Sequence, residues 1–268
     1  MLKTRVITAL VIAPIVLALI FFTPDWLFAL VMLAMALIGA WEWSALAGWT
    51  GRGARMSLVM SFAVIVAAGV VLQRDLSQVS WLSLYSVLAL AWWLFSLAWL
   101  AVWRAEFPRP IKALCGALTL LPSLAVVVAI RAVSPWYLVM LLLLTVAADV
   151  GAYFAGRAFG RHKLAPQVSP GKTWEGVVGG MALAAVVALI EDHWLATVPA
   201  GIYVVVALLV VALSIVGDLS ESLFKRQAGL KDSGSIFPGH GGVLDRVDSL
   251  TAAAPLYWLA LHQLRVLP

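Results

Sequence analysis

Residues 217–249 read GDLSESLFKRQAGLKDSGSIFPGHGGVLDRVDS and gather five carboxylates (Asp218, Glu221, Asp232, Asp245, Asp248), four cations (Lys225, Arg226, Lys231, Arg246) and His240 in one turn-rich interval. Asp218, Glu221, Ser222 and Lys225 fall at helical steps of three, four and seven, so one helix face carries acid, acid, hydroxyl and cation. Asp245 and Asp248 are three apart and share a face where an apolar run resumes. Between the two groups, Pro238-Gly239-His240-Gly241-Gly242 is a flexible turn at which backbone can approach a ligand closely. Carboxylates brought from two helices to one depth are what an oxygen-ligated Mg²⁺ requires. Four nearby cations are what a polyphosphate requires once a metal has taken part of its charge.

A second charged interval, 157–176, contains Ser169-Pro170-Gly171-Lys172-Thr173-Trp174-Glu175-Gly176. Its Gly-Lys-Thr resembles the end of a phosphate-binding P-loop, but the first glycine of that motif would fall on Pro166 and no buried strand precedes it. The local physics survives: glycine admits an anion to the backbone amides and Lys172 supplies charge. Ser169 or Thr173 with Glu175 also fits a simple helix cap. Two further acids, Glu42 and Asp149, lie inside apolar runs, where each costs about 2.5–3.5 kcal/mol at mid-membrane. Asp149, Tyr153 and Arg157 follow at steps of four and form one face directed at this interval, which marks Asp149 as functional. Glu42, between Trp41 and Trp43, reads as an interfacial acid paired with a nearby Lys or Arg. The four histidines lack paired zinc-ligand spacing, and Ser222, His240 and Asp245 lack a nucleophile elbow. The single Cys115 excludes an intrachain disulfide.

The elements that must position these groups are membrane helices. A composition 63% hydrophobic and 12% charged, with a mean hydropathy of +1.02 over 268 residues, lies outside the range of soluble domains. The expected class is an all-α polytopic membrane protein of about nine transmembrane helices, over residues 6–22, 26–48, 56–72, 81–103, 113–130, 136–154, 177–190, 202–217 and 250–267. The first run lacks a small-residue cleavage site and reads as a retained anchor. With the N-terminus in the cytoplasm and the C-terminus outside, 15 of the 18 Lys and Arg residues are cytoplasmic, leaving Arg74, Arg131 and Arg265 outside. The net charge of +5 is therefore topological and implies no nucleic-acid partner. Residues 1–135 would supply five packing and lipid-facing helices, and 136–268 the reactive region with cytoplasmic loops 157–176 and 217–249.

Three stretches carry a resemblance to a known family: Ser222-Leu-Phe-Lys-Arg226, Lys231-Asp-Ser233, and Pro238-Gly-His-Gly-Gly-Val-Leu-Asp-Arg-Val-Asp-Ser249. Together they resemble the defining motif of the phosphatidate cytidylyltransferases, or CDP-diacylglycerol synthases. The likeness extends to Gly217-Asp218-Leu, to 169–176, and to Asp149 with Tyr153-Phe-Ala-Gly-Arg157, and is only compositional before Asp149. It implies a bacterial cytoplasmic-membrane homodimer that condenses CTP with phosphatidate from the cytoplasmic leaflet, giving CDP-diacylglycerol and pyrophosphate, with Mg²⁺ and room for a second cation. On that basis Asp218 and Asp245 hold the metal, with Asp248 as a further ligand or partner. Lys225, Arg226, Lys231 and Arg246 steady the triphosphate, with Ser222 and Asp232 beside them. Lys172, Ser169 and Thr173 hold a second phosphate, Asp149, Tyr153 and Glu175 orient the cations or bind another, and His240 donates to the leaving group. A transporter using Glu42 and Asp149 would require inverted repeats, which are absent from the sequence.

Overall fold

The computed structural model describes residues 2–72, 78–102, 105–194, 201–237, 239, 241–264 and 266. Arg74, Arg104, His240 and Arg265 lie outside the described residues. The helices are α1 (Leu2–Phe22), α2 (Asp25–Leu46), α3 (Arg52–Leu72), α4 (Gln78–Val102), α5 (Arg109–Val133), α6 (Pro135–Phe159), α7 (Trp174–Trp194), α8 (Ile202–Gln227) and α9 (Leu244–Gln263). Each apolar run becomes a helix because in lipid a single segment satisfies its backbone only by bonding to itself. Seven of them, α2 to α8, are long and apolar enough to cross a membrane, and the chain is a multi-pass membrane protein. The described apolar part of α1 is shorter, and α9 carries Asp245, Arg246 and Asp248 in its first two turns. α7 and α8 extend well beyond the apolar runs 177–190 and 202–217. The last helix begins six residues before the expected 250 and ends at Gln263, because its acidic first turn is held by protein contacts rather than by lipid.

The interval 157–176 adds one small hairpin to the expected all-α framework. It folds as an antiparallel hairpin of β1 (Lys163–Ala165) and β2 (Ser169–Thr173), with Lys163 opposite Thr173 and Ala165 opposite Ser169. The hairpin passes directly into α7, whose Gly176 N–H is capped by Thr173 Oγ1 at 3.1 Å.

α6 and α7 form the closest pair, and glycine is the reason. A Cβ at Gly151 would stand 2.5 Å from the Gly179 carbonyl oxygen, and one at Gly180 2.6 Å from that of Ala148, so the two backbones touch. One core joins α1, α2 and α4 to α9 around Val126, Leu141, Tyr203 and Tyr257, and a second gathers Trp43, Trp93, Trp99, Leu120, Phe224 and Leu244. Both cores draw on residues from each side of position 135, so the two regions form one packed body. Polar bonds cross as well. Thr251 O of α9 accepts from Ser123 Oγ at 2.6 Å and from Trp93 Nε1 at 3.2 Å, while within the first region Trp43 Nε1 donates to Lys112 O at 2.7 Å. At the opposite end of the helices, buried Arg131 ties the α1–α2 connection by donating to Ile20 O, Thr23 O and Asp25.

Candidate active site

The hairpin lays Lys172 against α8, where its Nζ meets Asp218 Oδ2 at 2.5 Å, and this pair joins the two charged intervals. Around it is a cleft of about 220 Å³. α6 contributes Asp149 and Tyr153, β2 contributes Gly171, Lys172 and Thr173, α8 contributes Ser214 and Asp218, and α9 contributes Ser249. The expected α6 face is present, with Arg157 donating to Tyr153 Oη at 2.9 Å. Asp218 also accepts from Ser222 Oγ at 3.3 Å. The Asp218 charge acts on both Asp149 and Asp248, so three carboxylates from three helices share one field. Among the described residues only Lys172 forms a direct ion pair with any of these three acids. They do not close to metal-ligating geometry among the described residues.

Behind the cleft is a buried chain of charges. Lys225 Nζ lies 2.6 Å from Asp245 Oδ1 and 3.2 Å from Glu221 Oε1, with the Lys225 and Glu221 side chains 9% and 4% exposed. Asp245 Oδ2 accepts from Ser233 N (2.8 Å), Ser233 Oγ (2.9 Å) and Gly242 N (2.8 Å). Burial alone would raise the Asp245 carboxyl. The Lys225 bond and the Gly242 and Ser233 N–H groups outweigh it and hold the group below its usual range. Both oxygens of Asp245, for which the resemblance implies a metal-ligand role, thus meet protein donors.

Other nominated residues are placed elsewhere. Glu175 does not line the cleft. Thr173, Gly176 and Gly180 occupy that side of the chain, and Glu175 turns the other way to bind His162 through Nδ1 at 2.6 Å and through its N–H. Arg226 donates to Val168 O at 3.3 Å and Leu230 O at 3.2 Å, fastening the hairpin turn to the end of α8. Ser169 lies in β2 opposite Ala165, and Lys231, Asp232 and Arg246 are exposed. Glu42 is 3% exposed and, among the described residues, has no Lys or Arg ion-pair partner; it binds the loop and α9 instead. Glu221, Ser233 and Glu42 were not nominated. Glu221 was visible as Lys225's partner at i−4 and Glu42 as an acid inside an apolar run, whereas Ser233 carries no charge to mark it.

The fold and cleft define a class: a multi-pass membrane protein whose helix ends and one hairpin assemble a mixed acid and lysine site suited to phosphorylated ligands. The chain belongs to the cytidylyltransferase family, whose model matches residues 3–264. It is 41% identical to a phosphatidate cytidylyltransferase of Pseudomonas aeruginosa, over 96% of each chain. It is likewise 41% identical to that of Haemophilus influenzae (96% of this chain, 97% of that protein) and 37% identical to that of Brucella suis (96% and 92%).

Proposed function

We propose that this protein transfers the cytidylyl group of CTP to phosphatidate, forming CDP-diacylglycerol and releasing pyrophosphate. The observation that carries the reading is the Lys172–Asp218 pair, which brings the hairpin and the α8–α9 motif into one cleft at the ends of membrane helices. Relatives aligned over nearly the whole chain bear the name of this activity. A phosphatidate phosphate oxygen attacks the α-phosphorus of CTP, a P–O bond forms, and the bond to the bridging oxygen of the β-phosphate breaks with its electron pair leaving on pyrophosphate. The nucleophile is already anionic at neutral pH, so the task is to bring anions together and hold them in line.

Lys172, freed from Asp218 when phosphate arrives, takes one of the phosphates, and exposed Arg246 and Lys231 take the triphosphate from the loop side. Lys225 acts from behind, through Asp245 and Glu221, to hold the first turn of α9 in register with α8. A divalent cation such as Mg²⁺ fits the residues present. Asp149, Asp218 and Asp248 bring three charges together against one paired lysine, and Asp218 with Asp248 would hold the ion while Asp149 faces it or a second cation. Bound there, it would neutralise phosphate charge. In this reading the protein is a bacterial inner-membrane homodimer whose site faces the cytoplasm, where CTP is available and phosphatidate enters from the adjacent leaflet; the excess of Lys and Arg on that side of the helices supports the orientation.

The test is pyrophosphate release by the purified protein in detergent with CTP, Mg²⁺ and either phosphatidate or a polyprenyl phosphate. Release that requires phosphatidate supports the reading. Release only with the polyprenyl lipid would replace the substrate, and release with neither would remove the reading.

A further inference from the structure

We propose that Glu42, on a helix of the N-terminal half, is a positioning residue for the nucleotide, fixing Ser233 and the first turn of α9. The inference rests on the cytidylyl-transfer reading. Glu42 Oε1 accepts from Val243 N at 3.0 Å, and Oε2 accepts from Leu244 N at 2.9 Å. α9 begins at Leu244, and its cap residue Val243 offers no side-chain cap of its own. The first amides of α9 are therefore satisfied by a carboxylate about two hundred residues upstream, which suits the positive end of a helix.

The loop is built around the same group. Ser233 Oγ lies 2.9 Å from both Glu42 Oε2 and Asp245 Oδ2. Its single proton serves one carboxylate at a time, so Ser233 links Glu42 to the acid that holds Lys225. Gly234 and Gly242 have no side chain because a Cβ at either would run into the Glu42 carboxyl group. A burial this complete, for an acid on a membrane helix, serves the geometry of α9: Asp245, Arg246 and Asp248 all stand in its first two turns. If that turn slips, Asp245 leaves Lys225 and Asp248 leaves Asp218, whereas Lys172 and the hairpin, held by α6, α7 and α8, stay in place. Loss of Glu42 should therefore damage the nucleotide side of the site more than the lipid side.

Glu42→Gln is the direct test. Three donors converge on Glu42, and an amide has one acceptor oxygen, so in either orientation its NH₂ faces a backbone N–H. The expected result is a CTP KM raised about tenfold or more, with the phosphatidate KM within twofold of wild type. The Kd for CTP, measured by titration without lipid, should rise in parallel. Ser233→Ala, which leaves both backbone bonds to Glu42 intact, should move the same two quantities in the same direction by less. In the Glu42→Gln background it should add little, since the link is already broken. Unchanged CTP KM and Kd in folded Glu42→Gln, or both KM values rising together, would reduce Glu42 to a structural cap and overturn the proposal. Should Glu42→Gln fail to fold, an unchanged CTP Kd in Ser233→Ala overturns it equally. Wild type that binds CTP but releases no pyrophosphate would sink the reaction and still leave the CTP Kd of the variants to decide on Glu42. Wild type that binds no CTP would sink both.

Discussion

Asp245→Asn separates two roles for an acid that the sequence alone would make a metal ligand. In the structure its carboxylate receives Lys225 Nζ on one oxygen and three donors from Ser233 and Gly242 on the other. An asparagine keeps one acceptor. Placed with its oxygen toward the loop, it points an NH₂ at the buried Lys225 ammonium; placed the other way, it points it at the Ser233 and Gly242 N–H groups. The first orientation loses the bond to the Lys225 ammonium, and losing a bond to a charged partner at a buried site costs up to about 3 kcal/mol. The Asp245 side chain is only 8% exposed, so solvent screens little of this. At roughly 2–4 °C per kcal/mol, the melting temperature in detergent should fall by up to about 6–12 °C. Pyrophosphate release, assayed well below that melting point, should also fall. An Asn variant that melts with the wild type yet is inactive would refute the structural role and return Asp245 to direct contact with metal or substrate.

Asp218→Asn should behave in the opposite way, abolishing pyrophosphate release with little change in melting, since this acid is 25% exposed in the cleft and loses only its bond to Lys172 and Ser222. Acid should destabilise the wild type through Asp245. Its folded carboxyl is held below the unfolded value, so its contribution is complete above about pH 4 and is lost as pH falls below that, and the Asn variant should show a shallower fall in melting temperature over the same window. Gly151→Ala would force α6 from α7 and should cost about 1–3 kcal/mol, read as a lower melting temperature. Arg131→Ala removes the tie between α5 and the α1–α2 connection and should cost about 1–3 kcal/mol while leaving the CTP KM unchanged, because its partners lie at the opposite end of the helices from the cleft.

Hydropathy was sufficient to place the helices, since an apolar run of about twenty residues has one way to satisfy its backbone in lipid. Helix ends were less legible. α8 continues ten residues past Gly217 because Glu221 and Lys225 are paired within the protein, which a lipid-transfer scale cannot register. The hairpin was hidden because three- and five-residue strands with Pro170 and Gly171 in one of them carry no alternating pattern. Within the site, Asp149 was readable as a charge costly near lipid, and Lys172 and Asp218 as members of the two charged intervals, and they meet in the cleft. Their pairing was not readable, and neither were the partners of Glu42, backbone amides of Val243 and Leu244, groups that every residue possesses. Glu175 was misplaced for a simpler reason: one residue along a helix turns a side chain by about 100°, enough to move it from the cleft to His162.

The dependence on α9 has a consequence for biogenesis. Synthesis delivers α8 to the membrane before α9, so for that interval Lys225 and Glu221 have only each other, and Glu42, Ser123 and Trp93 wait without the amides and the Thr251 carbonyl they later bind. The nascent chain therefore holds an open polar seam among its helices until α9 enters. A ribosome stalled before α9, or a nonsense codon there, leaves a product with most of its spanning helices and these polar groups still without their α9 partners.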